Sequence, residues 1–100
     1  MIWLRYQVKF SSGRGPIEWL LLSLEPMSRW DAAREAKGRV AELANEYDHS
    51  EHFRGIDYRT SRRPPRSVVE ARLAHVLRLA ASATKEAKLL RAKLRFLGRV

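Results

Sequence analysis

Arginine and lysine side chains concentrated after residue 58 are the groups of this chain best suited to chemistry, and that chemistry is the binding of anions. From Arg59 onward there are twelve basic residues and two acids, whereas residues 1–58 contain eight basic and nine acidic residues. Clustered cations attract polyanions through their summed field. Arginine outnumbers lysine by fifteen to five, which suits bidentate phosphate contacts, although a GC-rich genome gives the same ratio. The pattern predicts a C-terminal half that contacts nucleic acid or an acidic protein surface.

The densest part of this basic segment is a proline corner. Arg59, Arg62, Arg63 and Arg66 surround Pro64-Pro65, and a helix beginning there would add its positive end. Such a corner suits phosphate contacts, which position a nucleic acid without reading its sequence. A solvated basic linker is the alternative interpretation. The predicted binding residues are Arg59, Arg62, Arg63, Arg66, Arg72, Arg78, Lys85, Lys88, Arg91, Lys93, Arg95 and Arg99.

Side chains that could carry catalysis or hold a metal lack the partners they would need. The chain has no cysteine, which excludes a disulfide framework and a thiol nucleophile. His49 and His52 have the spacing of a weak zinc pair, but no third ligand is evident, and a zinc site needs three or four. No phosphate loop or dinucleotide fingerprint is present. The sequence therefore predicts a non-enzymatic protein with no catalytic residue, no metal and no cofactor.

The N-terminal half has the pattern of two strands, a helix and a third strand. Apolar and polar residues alternate over Ile2–Phe10, as in a strand with one buried face. The next strand, Ile17–Leu24, is nearly apolar on both faces, and we place it centrally in the sheet. A third strand is predicted at Ile56–Thr60, with Ile56 and Tyr58 pointing inward.

The polar face of the first strand carries one aromatic residue among cations, in the order Trp3, Arg5, Gln7 and Lys9. Sheets that stack the bases of single-stranded nucleic acid present a face of this kind. Because there is a single aromatic residue, an ordinary solvent-facing surface is the alternative.

The first helix is predicted to begin after Ser28, an N-cap residue that is followed three positions later by Asp31. Its apolar residues recur at helical spacing and should form the stripe that packs on the sheet. They are Trp30, Ala33, Ala36, Val40, Leu43, Ala44 and Tyr47.

The C-terminal segment is predicted to form one long helix. Ser67 and Glu70 have the spacing of a capping box, and no Pro or Gly follows until Gly98. About thirty helical residues would span about 45 Å. Apolar residues follow a heptad seam, Val69, Leu73, Val76, Ala80, Ala83, Ala87, Leu90, Leu94 and Leu97. In one interpretation its first part packs on the sheet; in the other, Ala80, Ala83, Ala87, Leu90, Leu94 and Leu97 pair with a partner helix, as in a homodimer.

These elements predict an α+β fold of order β-β-α-β-α, with a three-stranded sheet, one packed helix and a long basic C-terminal helix. The expected organisation is a sheet-and-helix body over residues 1–62 and the amphipathic helix over residues 63–100. The helix would be packed at its start, and its end would be able to project.

Several turn and corner motifs resemble small uncharacterised proteins of phages and prophages. They are Phe10-Ser11-Ser12-Gly13-x-Gly15-Pro16-x-Glu18-Trp19, His49-Ser50-x-His52-Phe53-Arg54-Gly55-Ile56 and Pro64-Pro65 before a long charged helix. That class has no known activity to transfer. The resemblance implies a phage accessory or virion component, such as an inhibitor of host machinery or a nucleoprotein-binding factor.

Three functional hypotheses follow from the sequence, of which the last is a membrane-surface helix formed by the cationic amphipathic C-terminal segment. The first is a nucleic-acid or nucleoprotein-binding protein with little sequence preference, which grips phosphates through the basic residues. The second is a protein-interaction module, an inhibitor or assembly component, in which Leu90, Leu94 and Leu97 dock into a partner's groove. The N-terminus lacks a signal-peptide pattern and no apolar run is long enough to span a bilayer, so we expect a cytoplasmic location, in the host if the protein is phage-encoded.

Overall fold

The computed structural model describes residues 1–79 and 84–98. Its elements are β1 (Ile2–Phe10), β2 (Gly13–Ser23), α1 (Arg29–Tyr47), β3 (Phe53–Ser61), α2 (Arg66–Arg78) and α3 (Thr84–Leu97). The predicted α+β class and the three-stranded sheet are confirmed. The chain forms two compact units, one over residues 1–62 and one from residue 63 onward.

The sheet of the first unit has the order β2-β1-β3, and both of its pairings are antiparallel. The prediction that the apolar second strand is central is wrong, because β1 is the central strand and β2 lies at an edge. A tight turn joins β1 to β2, with Gly13 at φ +137°, where a side chain would be strained. Pro16 lies within β2 and has no N–H to donate, which suits an edge position.

Helix α1 begins as predicted, since the Ser28 hydroxyl accepts a hydrogen bond from the Asp31 N–H at 3.1 Å. Its buried residues are Ala32 and Ala36. The apolar stripe was predicted to begin with Trp30 and Ala33, so the first turn of the helix is rotated relative to that prediction. Trp30, predicted to face the sheet, is 80% exposed. Propensity and capping set where the helix begins, but they do not orient its first turn.

The C-terminal end of α1 packs on one face of the sheet through aromatic rings. The Tyr47 ring stacks on Phe53 with centroids 5.7 Å apart and meets Phe10 edge-on at 5.9 Å. Strand alternation places Tyr6 on the same face as Phe10 and places Trp3 and Arg5 on the opposite face.

Two predictions about the sheet's side chains need correction. Trp3 was predicted on the polar face of β1, but it is only 1% exposed, and its indole N–H has no hydrogen-bond partner among the described residues. Tyr58 was predicted inward and is exposed, because β3 is an edge strand and offers its side chains less cover. Ile56 is half-buried.

The predicted single C-terminal helix is wrong, because the second unit contains two helices. Helix α2 ends at Arg78, where Leu79 takes an extended conformation with φ −79° and ψ 168°. The Arg72 guanidinium reaches Glu86 and the Arg66 guanidinium reaches the Leu94 carbonyl, so α2 and α3 run antiparallel. Seam residues from both helices are buried: Val69, Val76, Ala87 and Leu90. Because α3 folds back antiparallel to α2, the chain buries these apolar residues itself, whereas a single long helix would need another surface to cover them.

The predicted cap of this helix is also wrong. Helix α2 starts at Arg66 after Pro65, whose carbonyl accepts from the Val68 and Val69 N–H groups. No side chain caps this end, because Ser67 already lies inside the helix. Pro65 fixes the backbone at the boundary in place of a capping hydroxyl.

Within the described ranges, no helix combines the length and the apolar character that crossing a lipid bilayer requires.

Candidate anion-binding face on helix α3

Three of the predicted binding residues lie together on one face of α3. Lys88, Arg91 and Arg95 are exposed, and with Leu94 they line a shallow cavity of about 610 Å³. They are spaced i, i+3 and i+7, which places them in one row along about 10 Å of helix. We call Lys88, Arg91 and Arg95 the α3 basic face.

The buried stripe of α3 explains why these cations point outward. Ala87 and Leu90 are fully buried, and Leu97 is half-buried. An amphipathic helix that buries this stripe must present the residues between its members to solvent. Neither an ion pair nor a hydrogen bond to Lys88, Arg91 or Arg95 is found in the described part of the chain.

Two other predicted binding residues hold the helices of the second unit together. Arg72 and Glu86 form an ion pair at 2.6 Å between α2 and α3, and both side chains are partly shielded from solvent. Arg66 pairs with Glu70 at 2.7 Å and donates to the Leu94 carbonyl at 3.1 Å. Glu70 and Glu86 are the only acids after residue 58, so both acids of the basic segment are used in these pairs. The sequence pattern did not separate these structural arginines from the outward ones.

The proline corner is divided between the two units. Arg59 is exposed on β3, and the Arg62 guanidinium donates to the Met27 carbonyl at 3.1 Å, just before α1. Arg63 and Arg66 belong to the second unit. Arg62 and Arg66 thus each have a protein partner, and the phosphate cradle at this corner stays a prediction.

The remaining predicted cations are spread over the second unit. Arg78 is exposed in the last turn of α2, and Lys85 is exposed in the first turn of α3. The Lys93 ammonium lies 5.7 Å from the centre of the Phe96 ring, a cation–π distance. Arg99 lies outside the described residues.

Two residues of the predicted partner-helix seam are buried within the chain. Ala87 and Leu90 are buried, whereas Leu94 and Leu97 are half-buried. Ala80 and Ala83 lie outside the described residues. Because Leu90 is 0% exposed, it is not available to dock into a partner's groove without opening the hairpin.

Three apolar residues outside this seam are exposed. Phe96 is 65% exposed on α3, and Leu77 and Leu79 are 54% and 53% exposed at the end of α2. All three fall outside the heptad steps, which was the available signal that they would face away from the buried stripe.

Two side chains of the first unit, Asp57 and Tyr6, have pKa values shifted from their ordinary values. A hydrogen bond from Lys9, followed by the attraction of Lys9 and Arg14, holds the pKa of Asp57 below its ordinary value of 3.8. The two cation–carboxylate distances are 3.2 Å to Lys9 and 2.5 Å to Arg14. Burial, with Glu18 as the next cause, raises the pKa of Tyr6 above 10.0.

No group of three His, Asp or Glu side chains that could hold a metal ion occurs among residues 1–79 and 84–98, and His49 and His52 are exposed. Comparison of the chain with protein-family models, curated proteins and solved structures finds no match.

Proposed function

We propose that this protein is a non-enzymatic nucleic-acid-binding accessory protein that contacts phosphate groups with little sequence preference. The observation that carries the proposal is the α3 basic face, where three exposed cations share one side of a helix and lack carboxylate partners among the described residues. An α-helix with cations along one side fits against a nucleic-acid backbone or into a major groove.

The charge of the second unit supports the same proposal. From residue 63 onward, ten basic residues face two acids, and both acids are engaged with Arg66 and Arg72. The surplus positive charge therefore belongs to side chains other than these two arginines. Backbone phosphates are the ligands that such a surplus attracts without base readout.

The test is neutralisation of the α3 basic face. The triple variant Lys88→Gln, Arg91→Gln, Arg95→Gln should lower affinity for a short DNA or RNA duplex about tenfold to a hundredfold at low salt. Fluorescence polarisation of a labelled duplex gives the measurement, and circular dichroism checks that the helices remain.

A matched control removes the same charge elsewhere. Arg34→Gln, Lys37→Gln, Arg39→Gln takes three exposed cations from α1 and should reduce affinity far less. Equal losses in the two triple variants would mean that net charge alone governs binding. Wild-type protein that fails to bind any nucleic acid at low salt would refute the proposal.

A second candidate function, docking on an acidic protein surface, is favoured by the exposed ring of Phe96 with Lys93 beside it. An aromatic anchor with a cation beside it suits a partner with an apolar pocket and an acidic rim. Phe96→Ala should then weaken a partner complex that survives nuclease treatment, while duplex affinity stays unchanged.

A further inference from the structure

Two arginines face each other on the sheet without a counter-charge. Arg5 on β1 is directly opposite Arg59 on β3, so both side chains lie on the same face of the sheet. In the described part of the chain, neither guanidinium has an ion pair or a hydrogen bond. Like charges placed directly opposite destabilise a strand pair, so this position favours a bound anion.

The acid closest in register does not neutralise this pair. Asp57 lies opposite Gln7, the next position of that face, but its carboxylate is bonded to Lys9 and Arg14. The charged strand residues on this face are therefore four cations and one carboxylate that is already engaged: Arg5, Lys9, Arg14, Arg59 and Asp57.

An aromatic ring completes the arrangement on the other side of Arg5. Trp19 on β2 is directly opposite Arg5, so Trp19, Arg5 and Arg59 form one row across the three strands, which we call the sheet row. Trp19 and Arg5 are half-buried, and Arg59 is exposed. Adjacent strands are about 4.8 Å apart, so the backbone at Trp19 lies one strand spacing from that at Arg5 and two from that at Arg59.

We propose that the sheet row binds single-stranded nucleic acid, with a backbone phosphate between Arg5 and Arg59 and one base stacked on the Trp19 indole. Guanidinium pairs suit phosphate geometry, and an unpaired base can leave its neighbours to stack on a side chain, whereas a duplex keeps its bases in place. The inference rests on the proposed function, and adds to it a contact in the first unit and a preference for unpaired strands.

The first test compares single-stranded and duplex probes of one sequence. Arg59→Gln and Arg5→Gln should each lower single-strand affinity by about fivefold or more, and Trp19→Phe should lower it less. Duplex affinity should fall no further than in Lys37→Gln, which removes one exposed charge from α1. Loss of affinity equal to that of Lys37→Gln for both probes would overturn the inference.

A second readout separates binding from folding. Arg59→Gln relieves the repulsion with Arg5, so its Tm should rise by up to about 4 °C, while inorganic phosphate should stabilise the wild type more than the variant. A lower Tm in the variant, or equal stabilisation by phosphate, would count against an anion between the two arginines.

Indole fluorescence tests the stacking contact. Trp30 is 80% exposed, so a Trp30→Phe background removes its signal at little structural cost. In that background a single strand should quench the remaining fluorescence, and Trp19→Phe should abolish the quenching. Persistent quenching would exclude Trp19 as the stacking residue.

The proposals about the sheet row and about the α3 basic face can be refuted independently of each other. If the α3 triple variant loses binding and the sheet-row variants behave as the wild type, the proposed function stands and this inference falls. If neither set of variants changes the affinity for either probe, both fall.

Discussion

Arginine side chains in this protein divide according to whether an acceptor lies within reach. Arg66 and Arg72 have carboxylates at 2.7 and 2.6 Å, and they hold the second unit together. Arg91 and Arg95 have no such partner in the described residues and face outward. Substitution of the first pair should therefore reduce stability, and substitution of the second pair should reduce affinity.

Asp57 provides a residue-scale prediction about pH. Its folded pKa lies below 3.8, so the stabilisation from Lys9 and Arg14 is present at pH above the unfolded pKa and is lost as the pH falls through the folded value. NMR titration of the carboxyl carbon should show this low pKa, and Lys9→Gln should raise it more than Arg14→Gln, because Lys9 is the larger cause. An unshifted pKa in the wild type would contradict the two ion pairs.

At the scale of elements, the sequence predicted β1, the start of α1 and the α+β class because those features depend on local patterns. Alternation of side chains defines β1, and the Ser28 hydroxyl defines the beginning of α1. The position of β2 at the sheet edge depends on which strand β3 joins, which is a long-range choice. The apolar pattern of β2 does not encode that choice.

The second unit shows that a heptad seam does not distinguish one long helix from two shorter ones. A seam that fits a long helix also fits two antiparallel helices, because both arrangements bury the same apolar positions. The break after Arg78 has no Pro or Gly to mark it. Of the candidate site, the sequence therefore predicted the identity of the cations but not which of them would be paired.

The antiparallel helices give an element-scale prediction. Glu86→Gln should destabilise the second unit by about 1–2 kcal/mol, because its carboxylate is partly shielded and bridges α2 to α3. Glu70→Gln is the matched control, since its pair with Arg66 is exposed and lies within one helix, and it should cost about 0.5 kcal/mol or less. Urea unfolding followed by circular dichroism measures both. Equal costs would show that Arg72 and Glu86 add nothing across the hairpin.

At the scale of the whole molecule, charge is divided unevenly along the chain. Residues 1–62 carry ten basic and nine acidic residues, and the remainder carries ten basic and two acidic residues. Phosphate binding should therefore depend mainly on the second unit and be strongly sensitive to salt.

Salt dependence is the whole-molecule prediction. The slope of log K against log salt for duplex DNA should become shallower by about 0.9 for each cation removed from Lys88, Arg91 and Arg95. The α1 triple variant should keep the wild-type slope. Titrations at several salt concentrations provide the slopes, and a slope unchanged by all three substitutions would show that these residues do not contact phosphates.

The edge position of β2 has a consequence for solution behaviour. Trp19–Leu22 is an uncharged apolar run in the second half of the border strand β2, whose charged residues Arg14 and Glu18 lie before it, whereas the other border, β3, carries Arg54, Asp57 and Arg59. Charged borders resist strand-to-strand addition, and uncharged ones invite it. The formal net charge of +9 opposes such addition through mutual repulsion. A bound polyanion cancels this repulsion. Saturating the protein with such a ligand should therefore promote aggregation of neighbouring copies and lower the colloidal stability of the solution.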